Sequence, residues 1–343
     1  MQDLNPLILG APPPLDAAWQ AHEAAAGLLQ PKPVLSALER QPIYASDCRA
    51  RNAAMMALGA RDHELSRGVR VSSLTVPGLE DGYEIPVLRY EAEEEDKEKE
   101  QVILIYIHGG GLLVGEADSE ELTCRRLVKY FPRPSSSHTG GQEAVKLYSI
   151  GYRLMPQVAA QTCLGDVTSA FKSIRQLHPA ARLVLVGSSS GGELAAFLSQ
   201  ALAPGSLSGI LLRCPVTADA PAHVPSGFED WHTSASPPFV TSLLGLFNRQ
   251  VPRDGFERMP LEIPTDEVEG LEMARTWVQV CTNDVLYSDG VCYAKLLQDA
   301  GIEVKVDVVE GWPHTFWLKA PHLDRALEAD NELLRGLAWV LEL

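Results

Sequence analysis

The chain has 343 residues, 45% of them hydrophobic and 22% charged, which is enough apolar material for one large α/β domain or two smaller ones. Its formal charge of −16 repels phosphate backbones and anionic lipid, so nucleic-acid and membrane-surface binding are set aside. The six cysteines form no CxxC pair and no Cys/His spacing suited to zinc, so buried, reduced thiols are expected and no metal or cofactor is implied.

The start, "MQDLNPLILGAPPP", lacks the basic opening and long apolar run of a signal peptide, and no stretch approaches the roughly 20 apolar residues of a membrane span. A soluble, cytoplasmic protein is the expectation. Residues 1–67 read as Ala-rich helical pieces broken by prolines. Next come "VRVSSLTV" and "YEIPVLRY", whose alternation predicts an antiparallel pair at a sheet edge. The charged tract Glu91 to Gln101 then predicts a solvated loop. "VILIYI" follows, a continuous apolar run suited to a strand covered on both faces.

Further strands are predicted at "VKLYSIGY", "ARLVLVG", "SGILLRC", "TWVQVCT" and "VKVDVV". Helical patterns lie between and after them, at Glu120 to Tyr130, Asp166 to Leu177, Gly192 to Leu202, Gly290 to Ala300 and Leu323 to Leu341. This alternation predicts an α/β fold, a mostly parallel sheet of about eight strands wrapped in helices. The expected division is an N-terminal helical cap segment (1–67), core (68–214), an insertion (215–269) and core again (270–343). "FVTSLLGLF" within the insertion reads as a short amphipathic helix, either packed on the surface or acting as a lid.

One strand-to-helix junction, "LVLVGSSSGGELAAF", offers three serines. A nucleophile on such a turn needs small residues two places before and two places after it. Ser188 has Val186 and Ser190 there; Ser190 has Ser188 and Gly192 but falls one residue into the helix. Ser189 has Gly187 and Gly191, the full G-x-S-x-G pattern, and is the candidate nucleophile. A flexible or phosphate-cradling loop is the competing reading, although no Walker lysine follows.

A second stretch, "YIHGGGLLVG", sets consecutive glycines after a buried strand, where their N–H groups could face a developing oxyanion. Gly110 and Gly111 are the expected donors, together with the N–H of Ser190; His108 is expected to orient the loop. The acid and the histidine should follow the nucleophile in chain order, which excludes Asp166. Asp284 and His314 each lie just past a predicted strand. Asp289 is the rival acid, but its place before "GVCYAKLLQDAG" suggests helix capping. His223, His232 and His322 have no comparable support.

With "HGGG", "YRLMP", "GSSSGG", "NDVLYSDGVCYAKLLQDAG" and "EGWPHTF" in view, the chain from about Val102 onward resembles the hormone-sensitive-lipase-like branch of the α/β-hydrolases, which holds carboxylesterases and arylacetamide deacetylases. The resemblance implies a Ser189–Asp284–His314 triad, an oxyanion hole from Gly110, Gly111 and Ser190, and a cap built from the N-terminal helices and the insertion. It also implies hydrolysis of a small-molecule ester. Ser188 and Ser190 depart from the family's G-D-S-A-G-G, and "FPRPSSSHTGGQEA" is longer than the family needs and should loop out. Phe239, Leu243, Leu244 and Phe247, with Phe228 and Trp231, are expected to roof the site. A homodimer is among the assemblies the sequence allows. Acyl transfer or lactone formation on the same triad, an amidase of arylformamide type and a non-catalytic receptor of the same fold are the alternatives.

Overall fold

The computed structural model describes residues 2–31, 33–93, 101–131, 144–218, 226–234, 252–264, 267–268 and 270–343. Eight strands form one sheet: β1 (Val69–Pro77), β2 (Glu84–Ala92), β3 (Gln101–Ile107), β4 (Ala144–Ile150), β5 (Arg182–Ser188), β6 (Gly209–Arg213), β7 (Thr276–Asn283) and β8 (Val304–Pro313), in the order β1-β2-β4-β3-β5-β6-β7-β8. β1, β2 and β4 pair antiparallel, and every pairing from β4 across to β8 is parallel. The alternating segments thus form the antiparallel edge, and the continuous apolar runs lie inside. A strand covered on both faces needs no polar side, which is why β3 reads as an unbroken apolar run.

The helices are α1 (Ala17–Ala25), α2 (Ala37–Met56), α3 (Glu121–Lys129), α4 (Ala160–Leu177), α5 (Ser190–Ala201), α6 (Tyr287–Asp299), α7 (Phe316–Lys319) and α8 (Asp324–Leu341). Period-2 alternation along β3 sends Ile103, Ile105 and Ile107 to one face, where they meet residues of α4, α5 and α6. Val102, Leu104 and Tyr106 face the other way, onto Leu127 and Val128 of α3 and Leu333 and Leu337 of α8. Each such side chain, once buried, contributes about 1.5–3 kcal/mol.

Three sequence expectations need amendment. α2 runs through Pro42 instead of breaking there, since a proline near the helix start removes only one intrahelical bond; a Ser36–Glu39 capping box begins that helix. α4 starts at Ala160, six residues before the predicted Asp166. The charged tract is not all loop, because Glu91 and Ala92 end β2 and Gln101 begins β3; Glu91 is buried and accepts from Arg70 Nε at 2.9 Å. The long "FPRPSSSHTGGQEA" stretch lies almost wholly outside the described residues.

Candidate active site

Ser189, Asp284 and His314 each directly follow a strand: β5, β7 and β8 respectively. These strands run parallel, so all three residues gather at one edge of the sheet. Ser189 Oγ lies 2.8 Å from His314 Nε2, and His314 Nδ1 lies 2.5 Å from Asp284 Oδ2. The other carboxylate oxygen of Asp284 accepts from the Leu286 N–H at 2.9 Å. Asp284 is fully buried, while Ser189 and His314 keep a small exposure.

The turn that carries Ser189 explains its glycines. Ser189 has φ +54°, ψ −120°, a strained conformation for a residue with a side chain. A Cβ on Gly187 would stand 2.4 Å from the Gly191 carbonyl oxygen, and one on Gly191 would stand 2.0 Å from that of Ile107. The small-residue rule applied to the sequence is therefore a backbone collision here. Neighbouring Ser190 opens α5, and its Oγ accepts from the Leu112 N–H at 3.3 Å, holding the glycine loop against the helix. Ser188 is fully buried, and its hydroxyl has no partner among the described residues.

The glycine loop is held from below. The Gly109 N–H donates to Glu120 Oε1 at 3.0 Å, and Tyr106 Oη donates to Glu120 Oε2 at 2.7 Å. Burial raises the Glu120 pKa, opposed by these same two hydrogen bonds. Gly110 has φ +132°, and a Cβ there would collide with the Val114 carbonyl. No acceptor among the described residues takes the N–H of Gly110, Gly111 or Ser190. His108 packs flat on Tyr152 with ring centroids 4.3 Å apart, and its Nδ1 donates to the Gly109 carbonyl at 2.7 Å. Burial lowers its pKa to about 4, so it is a neutral support for the loop.

His314 behaves oppositely. Burial disfavours its charged form, but the Asp284 carboxylate outweighs burial and raises its pKa to about 9. Cys214 and Cys281 lie beside this pair with Sγ atoms 3.6 Å apart. Burial opposes the Cys214 thiolate, yet hydrogen bonds with Cys281 and His314 draw its pKa below the ordinary value.

Asp289 does not cap its helix. It sits inside the first turn of α6, where the N-cap position belongs to Leu286. Its Oδ2 accepts from the N–H groups of Thr217 and Ala218 at 2.8 and 2.9 Å, and its Oδ1 lies 2.9 Å from His232 Nε2. Asp289 therefore ties the start of the insertion to the core, and His232 is its buried partner. Asp166 is bound by Arg153, with contacts of 2.9 Å and 2.7 Å. His322 packs near His22, ring centroids 5.1 Å apart. Trp231 and Phe228 are part-buried against the main core. His223 and the proposed roof residues Phe239, Leu243, Leu244 and Phe247 lie outside the described residues.

Sequence reasoning missed Glu120, Cys214 and Cys281. The N-terminal segment, expected to belong to the cap, reaches the elements beside the site, with Asn283 Nδ2 donating to the Pro13 carbonyl at 2.7 Å and Tyr287 Oη to that of Leu7 at 2.9 Å. The only available signal was the position of Cys214 and Cys281 at the ends of neighbouring predicted strands.

Comparison with known proteins identifies the fold and the family. Ethyl acetate hydrolase of Pseudomonas putida is 29% identical over 274 residues, covering 76% of this chain and 78% of that protein. A relative from Aspergillus terreus named FAD-linked oxidoreductase pytB is 27% identical over 251 residues, and the match spans 69% of this chain but 29% of that protein. Among solved structures, vibralactone cyclase superposes with a TM-score of 0.73 at 21% identity, covering 100% of this chain and 97% of that one. A family model described as alpha/beta hydrolase fold matches residues 104–318, well over half of the chain. The protein belongs to the α/β-hydrolase family.

Proposed function

We propose that this carboxylic ester hydrolase works through Ser189, His314 and Asp284 by a two-step acyl transfer to water. The observation that carries this reading is the pair of hydrogen bonds running from Ser189 Oγ through the imidazole to the Asp284 carboxylate. His314 Nε2 takes the Ser189 proton as Oγ attacks the ester carbonyl, and then returns it to the leaving alcohol. Asp284 keeps the proton on Nδ1 and steadies the imidazolium. The N–H groups of Gly110, Gly111 and Ser190 receive the oxyanion, aided by the positive end of α5. Water then repeats the cycle on the acyl-enzyme.

The substrate is a small or medium ester with an apolar acyl group. Trp231 and Phe228 contribute to the apolar side of the pocket, and the N-terminal helices contribute to its cap. Six buried, unpaired cysteines support a reducing, cytoplasmic setting. Among the described residues, no helix is long and apolar enough to cross a membrane.

A chain-length panel of activated esters, run beside an amide and a lactone, tests the reading together with a serine-directed phosphonate. Turnover of short esters and stoichiometric labelling are expected, both lost in Ser189→Ala. Binding without labelling or turnover would point to the receptor alternative.

A further inference from the structure

The triad's imidazole and carboxylate share their buried corner with a thiol that the proposed mechanism does not use. One ligand atom each from Cys214, Asp284 and His314 lies within 4.8 Å of the other two, and all three residues are buried. Sulfur, nitrogen and oxygen donors of this kind suit zinc and its softer relative cadmium, unlike the all-oxygen cages of calcium or magnesium. Around a tetrahedral zinc, with bonds of roughly 2.0–2.3 Å, donors stand roughly 3.3–3.8 Å apart. His314 Nδ1 and Asp284 Oδ2, 2.5 Å apart, stand closer than this, so an ion must part them while drawing Cys214 to the same centre. Cys281 Sγ lies 3.6 Å from Cys214 Sγ, outside this three-residue cluster.

We propose that Cys214, His314 and Asp284 form an inhibitory site for a thiophilic divalent cation, with zinc as the reference ion. Binding releases the Cys214 thiol proton to solvent and forms a metal–thiolate bond. The same ion takes the Nδ1 lone pair, the Nδ1 proton having passed to Nε2, and one lone pair from the carboxylate. The Asp284–His314 hydrogen bond is then broken, and His314 can no longer accept the Ser189 proton. The ion is an inhibitor and takes no part in ester cleavage.

The test has two arms, one of which does not depend on activity. In the first, ester hydrolysis by chelator-treated protein is titrated with zinc chloride in a non-chelating buffer. Inhibition that is reversed by a chelator is expected, and Cys214→Ala and Cys214→Ser should raise the half-inhibitory zinc concentration at least about tenfold relative to each variant's own activity. Cys163→Ala, a thiol on α4 outside the Cys214–Asp284–His314 cluster, should leave that concentration unchanged.

In the second arm, the Ser189→Ala protein is titrated with cadmium while the thiolate-to-metal charge-transfer band is followed in the ultraviolet. One equivalent should saturate the band, and adding Cys214→Ala should remove it. Equal zinc sensitivity in wild type and both Cys214 variants, or no cadmium band in the Ser189→Ala protein, would overturn the proposal. Because the cadmium arm uses a protein lacking the nucleophile, its outcome is separate from that of the esterase reading.

Discussion

At the scale of single residues, the site separates carboxylates and serines that look alike in sequence. Asp284→Asn should leave the protein folded and lower kcat by about a thousand- to ten-thousandfold, because an amide favours the wrong imidazole tautomer. Asp289→Asn should act on stability instead. It turns an NH₂ toward either His232 or the N–H groups of Thr217 and Ala218, so a loss of about 1–3 kcal/mol is expected in urea unfolding, with kcat largely kept. A reversed ranking in kcat would assign the acid to Asp289. Ser188→Ala deletes a buried hydroxyl that has no partner among the described residues, so it should leave the midpoint unchanged or raise it.

The titration of His314 gives a signed prediction at the same scale. The imidazole must be neutral to accept a proton, and its pKa is raised from 6.5 to about 9, so kcat/KM should climb with pH across that window. Asp284→Asn removes the anion that favours the imidazolium and should move the limb to lower pH. Stability has the opposite sense: the ion pair's contribution is complete below about 6.5 and is lost as pH rises through about 9. A limb that stays in place in Asp284→Asn would mean that another group sets it.

At the scale of elements, the strand–turn–helix at Ser189 and the glycine loop at 109–111 were legible because their small residues stand together in the chain. A Cβ on Gly187 would meet Gly191, two positions past the serine, while one on Gly191 would meet Ile107 of β3; chain order and a place just past a predicted strand together selected Asp284 and His314. Supports that act across the fold were not legible. Glu120 was read only as the start of a helix, yet it reaches back to the Gly109 N–H and to Tyr106 on β3. Cys214 and Cys281 meet because β6 and β7 are neighbours, which spacing along the chain cannot express.

Glu120 supplies the prediction at this scale. Glu120→Ala would leave the Gly109 N–H and the Tyr106 hydroxyl without their acceptor, loosening the loop whose next N–H groups are the proposed oxyanion donors. A fall in kcat exceeding any rise in KM is expected. Glu120→Gln should restore most of it, since the amide oxygen can accept from Gly109 and its NH₂ can donate to Tyr106 Oη. If alanine and glutamine variants lose stability but keep kcat alike, Glu120 is a folding residue without influence on the loop.

At the scale of the whole molecule, the site depends on how the sheet is anchored to its helices behind β6. Arg213 of β6 is fully buried, with its guanidinium 3.7 Å above the Trp317 ring and Nη1 2.9 Å from Asp330 Oδ1. The other Asp330 oxygen takes Arg126 Nε of α3 at 3.1 Å, and Arg126 Nη2 continues to Asp62 at 3.0 Å. One carboxylate on α8 thus neutralises two buried guanidinium groups from β6 and α3. Attraction between buried charges largely offsets their desolvation, so the intact network adds little net stability, but removing Asp330 leaves Arg213 buried without its carboxylate while Arg126 keeps Asp62. Asp330→Asn should therefore cost about 3–5 kcal/mol, read as a lower urea midpoint. Arg213→Met removes one buried cation together with its desolvation cost, and it leaves the Arg126–Asp330 pair intact. Its cost should be smaller, and combined with Asp330→Asn it should recover part of the loss, because the double variant buries one uncompensated cation fewer. Additive losses in the double variant would show that Arg213 and Asp330 act independently and that the sheet is held to α8 by apolar packing alone.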